Sequence, residues 1–547
     1  MSLFGGGASS QSSSRTAVRQ HKISSTNRRF LFNLIGQIVI VVYHNNQRVQ
    51  RVLHNETPLE VFDLSASICA VITALTLQFP DDLLVWCNEE VSQELELSAV
   101  SNLLQLPQEI ISFQPSYGGY FGPNIEWVEE SIFVSVSKNT RYTTWMLSSC
   151  VGAMQASLWM QLAPHINPKD SFAYTLHSIG KRAQSAGLFC YSEPALLRTT
   201  LNKNFTSATQ IELYRFVKQH YKSLWVWVLF WQQLRHQGQF NVLPLLCTWF
   251  LARLKPIALN IPEQFSSKPA QLAISVLIPT LNRPQYLADF LADLQAQTLV
   301  PKEVVIIEQI SDQQGESQLI DLVAHAWNFK IKHLIIYQLG VCNARNLGLS
   351  QVTGDWVFFA DDDIRIAPTF LAESATKINQ NKAQAVSFAC VSPTQKSVEK
   401  PVIQWNAFGG GSSLVSKSAL KECQFSMVFE HGFGEDLDFG MQLRQAGTDI
   451  LFFSTPAITH LKAPAGGFRL SKTLAWQTDP IQPKPAPTVM AFIQKYYTAP
   501  QRKTYKLMLL LKYYPKQSLK NPIRYYRQFE QQWKQSVYWA SKLDQNP

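Results

Sequence analysis

The chain has 547 residues, 46% of them hydrophobic and 12% aromatic, too long for one core and suited to two or three globular domains. Its formal charge of +10 and pI near 9.1 point to an acidic partner: a nucleotide, a phosphate-bearing acceptor, nucleic acid or an anionic membrane. Eight scattered cysteines, with no CxxC and no short-range His/Cys cluster, fit reduced, mostly buried thiols of a cytosolic protein better than a zinc or disulfide framework.

In chain order, residues 1–28 are rich in glycine and serine and lack the apolar centre of a signal peptide, so a disordered leader is expected. Residues 29–205 alternate strand-like and helix-like segments. Residues 206–258 are helical in pattern and rich in Trp, Leu and Phe, a helical connector. Its run LWVWVLFW, Leu224–Trp231, is cut by Gln232, Gln233 and Arg235, so no run reaches the roughly 18–20 residues that span a bilayer. These features predict a cytoplasmic protein, soluble or peripheral on the inner face of a membrane. Residues 259–271 carry prolines and serines and form a linker.

From residue 272 the pattern changes. AISVLIPT and KEVVIIEQ are strands, each followed by an amphipathic helix, PQYLADFLADLQAQ and SQLIDLVAHAW. This β-α-β-α order implies parallel strands with right-handed crossovers. Ligands bind such sheets beyond the carboxyl ends of the strands. Three polar clusters fall at those ends: Pro279 to Arg283, Glu308-Gln309, and the triplet Asp361-Asp362-Asp363 that closes GDWVFFADDDI.

Adjacent carboxylates repel unless a cation or a proton intervenes. One such aspartate would be an ordinary solvated turn; three on an aromatic strand, beside two other polar clusters, favour a site. Asp361 and Asp363 can clamp Mg²⁺ or Mn²⁺ while leaving positions open for substrate phosphates. Such an ion would neutralise a diphosphate leaving group. Downstream, HGFGEDLDFGMQLRQAG (431–447) opens a helix on Glu435-Asp436. Acidic residues there suit the helix dipole. In a cleft facing a metal–diphosphate, Asp436 is also suited to take the proton of an acceptor hydroxyl. His460, at the end of the strand ILFFSTPAI, could complete the metal shell.

From Ile274 to about Arg469 the chain resembles the inverting GT-A glycosyltransferases of family 2. The matching pieces are SVLIPTLNRPQYL, EVVIIEQISD, GVCNARNLGLSQVTGDWVFFADDDI, FGGGSSLVSK, GFGEDLDFGMQLRQAG and THLKAPAGGFR. The resemblance implies an α/β, Rossmann-like, mostly parallel GT-A domain over 272–470. It also implies roles for single residues. Pro279, Thr280, Asn282, Arg283 and Glu308 would hold the nucleotide, with Asp362 also on the donor side. Arg345 and Asn346 would lie near the diphosphate, and Asp361, Asp363 and His460 would hold the metal. Gly409, Gly410, Gly411, Ser412 and Glu435 would line the acceptor side, and Asp436 would be the base. The family usually has two aspartates, Gly and Ser where this chain has Glu308-Gln309-Ile310-Ser311, so base selectivity is open.

The implied activity is Mn²⁺- or Mg²⁺-dependent, inverting transfer from a nucleotide-sugar (UDP- or GDP-linked) to a glycan or lipid-linked acceptor, in cell-surface polysaccharide synthesis. A non-catalytic glycan-binding scaffold is the alternative. A Mg²⁺ phosphohydrolase fits less well, because Arg365 stands where its motif needs Thr or Val.

An internal comparison points to a second copy. DLLVWCNEEV (82–91) aligns without gaps to DWVFFADDDI (355–364), with Asn88-Glu89-Glu90 in place of the aspartates. KRAQSAGLFCYSEPALL (181–197) likewise echoes LRQAGTDILFFSTPAIT (443–459). Residues 29–205 are therefore expected to form a degenerate GT-A-like domain without transfer activity. The extension 471–547 is helical, basic and aromatic. Glu530 is the only acid between Arg502 and Asp544, a mixture that suits a membrane surface, a lipid-diphosphate acceptor or a face packed on the catalytic domain. No nucleic-acid-binding motif accompanies the charge.

Overall fold

The computed structural model describes residues 38–59, 63, 65–114, 119–131, 134, 136, 138–199, 206–261, 271–312, 314–464 and 473–545. The leader, most of the linker and the end of the closing motif (465–469) lie outside these residues.

The first α/β layer runs β1 (Val39–His44), β2 (Val49–His54), β3 (Thr57–Pro58), α1 (Ile68–Gln78), β4 (Leu83–Asn88), α2 (Leu97–Leu103), β5 (Glu109–Phe113), β6 (Tyr142–Thr143), β7 (Val151–Gln155), α3 (Ala156–Leu162), α4 (Phe172–Ala183) and β8 (Phe189–Ser192). Its strand order is β3-β2-β1-β4-β7-β5-β8-β6. Every residue of β4 is buried, which is why its run LLVWCN is apolar on both faces rather than alternating. Helices α5 (Gln210–His220), α6 (Leu224–Gln237) and α7 (Val242–Thr248) follow. A capping box between Thr209 and Glu212 fixes the start of α5.

The second layer runs β9 (Ile274–Thr280), α8 (Pro284–Gln295), β10 (Glu303–Gln309), α9 (Ile320–Ala324), β11 (Lys330–Ile336), α10 (Val341–Gln351), β12 (Trp356–Ala360), β13 (Ile364–Arg365), α11 (Phe370–Gln380), β14 (Ala385–Val391), β15 (Ile403–Gln404), β16 (Ser412–Ser416), α12 (Glu435–Gln445) and β17 (Ile450–His460). Its order is β11-β10-β9-β12-β16-β14-β17-β13. The half β11-β10-β9-β12 is parallel throughout, as the βαβ pattern requires. Beyond it β16 runs antiparallel to both β12 and β14, so the sheet as a whole is mixed. The α/β architecture expected from the sequence is met, and the chain closes on helices α13 (Pro487–Tyr496), α14 (Ala499–Tyr513) and α15 (Pro522–Gln545).

The two layers repeat one topology. The path β1-β4-β7-β5-β8 matches β9-β12-β16-β14-β17 in order and in every parallel or antiparallel pairing. The ungapped alignment of 82–91 on 355–364 extends backwards and lays α1 on α10 from end to end. Even β13 has a remnant. Its Arg365 pairs with Thr459, and the isolated bridge Leu95–Leu197 falls where the second alignment puts Leu197 on Thr459. The first layer lacks β10 and β11 and carries the β2–β3 hairpin at that edge instead.

The layers meet along β8 and β15. Gln404 Oε1 accepts the Cys190 N–H at 2.8 Å, Gln404 Nε2 donates to Asp449 Oδ2 at 3.0 Å, and Tyr191 donates to the same oxygen at 3.0 Å. One apolar core runs across the junction, from Val41 and Phe189 to Ile274 and Phe358. Among the described residues, no helix is long and apolar enough to cross a membrane.

Candidate active site

The parallel strands β9, β10 and β12 deliver Thr280, Glu308-Gln309 and Asp361 to Asp363 to one rim. Each aspartate of the triplet then has a different fate. Asp362 is 3% exposed and turns into the domain, where Thr280 Oγ1 donates to it at 2.7 Å and Arg283 Nη1 at 2.7 Å. Burial pushes its pKa up to about 6 against the pull of Arg283 and Thr280.

Asp363 is held by its neighbours. Its Oδ2 accepts the Ala463 N–H at 2.8 Å, and its Oδ1 lies 3.3 Å from His460 Nε2. The β13–β17 pairing, Ile364 opposite His460, brings the imidazole there. Burial raises the Asp363 pKa, but hydrogen bonds from His460 and Ala463 outweigh it and hold the group below its ordinary range. The same hydrogen bond is the main cause of a raised His460 pKa. Asp361, with a side chain 39% exposed, is the most open of the three. One ligand atom from each of Asp361, Asp363 and His460 lies within 4.8 Å of the others.

Arg345, on α10 and 5% exposed, stands between two carboxylates. Its Nη2 is 3.4 Å from Asp361 Oδ1 and its Nη1 is 3.5 Å from Asp436 Oδ1, with Phe425 under the guanidinium at 5.1 Å. Asp436 sits in the first turn of α12 with its side chain 36% exposed. Burial raises its pKa; Arg345 and the Gly410 N–H oppose the rise, while Asp361 adds to it. Glu435 beside it is buried and its pKa climbs to about 7, through burial and the Asp436 charge.

The glycines before β16 close the floor. A Cβ on Gly410 would stand 2.3 Å from Arg345 Nη1 and 2.4 Å from Asp436 Oδ1, so no side chain fits there. Gly410 and Gly411 therefore lie against Arg345, Asp436 and Asp361, while Gly409 packs on Ser412 and Ser413.

Other expected residues line up differently. Pro279 and Thr280 end β9 and Arg283 precedes α8, with Asn282 between them in the left-handed region at φ +53°. The Glu308 carboxylate is taken up within the wall: Ser317 Oγ donates at 2.6 Å, the Gln318 N–H at 3.1 Å, and His333 Nε2 lies 2.8 Å away. Asn346 clasps the Phe425 backbone, donating to its carbonyl at 2.7 Å and accepting its N–H at 2.8 Å. Asn346 thus braces the ring under Arg345.

One residue, Glu430, escaped the sequence reading. Glu430 accepts the N–H groups of Cys342 at 3.1 Å and Asn343 at 2.8 Å, and so holds the N-terminus of α10. Gln309 accepts the Gly340 N–H at 2.7 Å. Gly340 itself has φ +149°, and a Cβ there would meet Glu430 at 2.2 Å. The single sequence signal is that α10 lacks an acid in its own first turn.

Among the described residues, the first layer holds no such cluster at the matching place. Asn88 caps its own turn through the Glu90 N–H, Glu89 pairs with Arg51 on the surface at 3.1 Å, and α4 carries no acid where α12 has Glu435-Asp436. Two carboxylates and an imidazole on one rim, with a separate carboxylate across a buried arginine, can hold a cation and accept a proton at two distinct points.

Residues 275–432 match the profile described as Glycosyl transferase family 2. A segment of 118 residues is 29% identical to the poly(ribitol-phosphate) beta-N-acetylglucosaminyltransferase TarS of Staphylococcus aureus, over 21% of this chain and 20% of TarS. Another of 142 residues is 28% identical to the uncharacterized glycosyltransferase YwdF of Bacillus subtilis, over 25% of this chain and 51% of YwdF. The chain thus spans about a fifth of one relative and half of the other. Among solved structures, residues 1–349 of S. aureus TarS with UDP-GlcNAc give a TM-score of 0.34 at 18% identity, covering 45% of this chain and 73% of that one. GalNAc-T7 with UDP, GalNAc and Mn²⁺ gives 0.35 at 14% identity, covering 50% and 58%. The segment 275–432, which carries the aspartate triplet, Arg345 and the glycine floor, belongs to glycosyl transferase family 2.

Proposed function

We propose that the chain moves a sugar from a UDP- or GDP-linked donor to a hydroxyl of a glycan or lipid-linked acceptor, with inversion and with Mn²⁺ or Mg²⁺, in the synthesis of a cell-surface polysaccharide. The observation that carries this reading is the convergence of Asp361, Asp363 and His460 within 4.8 Å, with Asp436 across Arg345. The donor set fits the ion: two carboxylate oxygens and one imidazole nitrogen suit Mn²⁺ or Mg²⁺. The open Asp361 carboxylate and the side-chain-free floor at Gly411 leave the approach clear. Bound there, the ion would neutralise the diphosphate leaving group.

The chain's own groups take the remaining tasks in this proposal. Asp436 accepts the acceptor proton, and Arg345 keeps that carboxylate apart from Asp361. Asp362, locked by Thr280 and Arg283, stiffens the loop of Pro279 to Arg283 against which the nucleotide would lie. Glu435 and Gly409 to Ser412 flank the acceptor. In this division, residues 272–470 are catalytic, 29–205 a silent copy, 206–258 a connector and 471–547 an extension.

TarS, by its name, transfers N-acetylglucosamine, so UDP-GlcNAc is the first donor to try. Nucleotide release from a panel of sugar nucleotides, with Mn²⁺ and with candidate acceptors, tests the proposal. The expected result is acceptor-stimulated release that Asp361→Ala and Asp363→Ala abolish while the proteins stay folded. Unchanged Mn²⁺-dependent donor affinity in both variants would sink the metal assignment.

A further inference from the structure

Helix α6 has two unlike faces. Trp225, Leu229 and Gln232 are buried with Tyr214 and Phe216 of α5. Leu224, Trp227 and Trp231, at i, i+3 and i+7, are 53%, 47% and 50% exposed, and the exposed Arg235 continues the stripe. The next helix and the turn after it repeat the device: Leu243 and Leu246 on α7 and Phe250, two residues beyond its end, keep the same spacing and are 65%, 60% and 95% exposed. The Trp227 and Trp249 rings meet edge-to-face at 5.6 Å and join the two stripes. A contiguous apolar face of this extent marks an interaction surface.

The charge around it is one-sided. Between residues 206 and 261 there are six lysines and arginines and a single acid, Glu212. Lys222, Arg253 and Lys255 are exposed as well as Arg235. The basic C-terminal helices adjoin this region, for Gln232 Nε2 donates to Thr504 Oγ1 of α14 at 2.9 Å, and Lys503 acts on His236.

We propose that the exposed face of α6 and α7 docks on a lipid bilayer bearing anionic headgroups. At 14 residues α6 is too short to span, so it lies in the interface with its tryptophans at headgroup depth. Tryptophan suits that depth because its ring is apolar and its N–H can stay wet. The basic rim matches an anionic surface. Two copies pressed together on this face would bring like-charged rims into contact, which disfavours a self-dimer.

Vesicle flotation of the full chain tests it, with phosphatidylcholine vesicles and with vesicles containing phosphatidylglycerol. The expected result is binding to the anionic vesicles that weakens about tenfold without the anionic lipid or at high salt. The combined change Trp227→Ser, Trp231→Ser, Phe250→Ser should abolish flotation at unchanged helical circular dichroism. If that variant fails to fold, Arg235→Gln with Arg253→Gln and Lys255→Gln decides, and should weaken anionic binding alone. Three results overturn the proposal: no flotation of the wild type, flotation unchanged in the folded variants, or a wild-type dimer that the serine variant splits into monomers.

Discussion

Gly411 packs its backbone against Asp361. The Asp361 N–H donates to the Gly411 carbonyl at 3.4 Å, and a Cβ on Gly411 would stand 2.1 Å from the Asp361 carboxyl carbon. Asp361 is the most exposed of the grouped metal candidates, so its position depends on that missing side chain. Gly411→Ala should therefore push the carboxylate off the Asp363–His460 pair. Calorimetric Mn²⁺-dependent nucleotide affinity should fall about tenfold or more, an overpacking cost of roughly 1–3 kcal/mol at one site. Affinity equal to wild type would show that Asp361 is free to move.

The upstream copy gives the converse expectation. Glu89 is paired with Arg51 on the surface, at side-chain exposures of 39% and 47%, and Asn88 is occupied in capping its own turn. An exposed pair of this kind is worth about 0–1 kcal/mol. Replacing Glu89 and Glu90 together by alanine should leave nucleotide release within a few-fold of wild type. A loss comparable to that of Asp361→Ala would mean that the first layer takes part in the chemistry.

Glu303, at the start of β10, is a buried acid outside the site. Burial alone would raise its pKa, but Lys332, Ser275 and Thr353 outweigh that and hold it at about 2, below the ordinary 4.5. A depressed pKa contributes stability that is complete above the unfolded value and is lost as pH falls from 4.5 towards 2. Glu303→Gln should cost on the order of 3 kcal/mol at neutral pH. Thermal melts of both proteins should differ most at pH 6–7, with the gap closing as pH is lowered from 5 to 3. A gap independent of pH would assign the effect to packing.

Much of this architecture was legible because it is local. Runs such as SVLIPT, VVIIEQ and WVFFA announce strands, and their polar ends fall on one rim because parallel strands share a direction. The repeat was legible in two short alignments, though its full extent needed the strand pairings: the Leu95–Leu197 bridge leaves no pattern in the chain. Glu308 was expected at the nucleotide, yet its carboxylate turns to Ser317, Gln318 and His333, and the last of these comes from a neighbouring strand. The Asn346 grip on Phe425 and the Glu430 cap on α10 join segments some 80 residues apart. Such contacts follow from tertiary packing, which spacing along a chain does not encode.

Asp436 carries the most specific expectation. Its carboxylate has Arg345 3.5 Å away on one side and remains 36% exposed on the other, where an acceptor hydroxyl can approach. A single in-line displacement needs one base opposite the leaving diphosphate, and it inverts the anomeric centre. Asp436→Asn keeps shape and hydrogen bonding but removes the proton acceptor. General bases contribute about 10²–10⁴-fold, so turnover should fall at least ~100-fold. Donor affinity, which in the proposal depends on the metal and nucleotide contacts, should barely move; a loss confined to turnover marks an interaction made in the transition state. Glu435→Gln should be milder, since that side chain is 8% exposed and sits behind its neighbour. Steady-state kinetics on both variants, with NMR of the product's anomeric proton, read the two halves separately. Near-normal turnover in Asp436→Asn would remove it as the base, and a product that keeps the donor's configuration would rule out the single displacement.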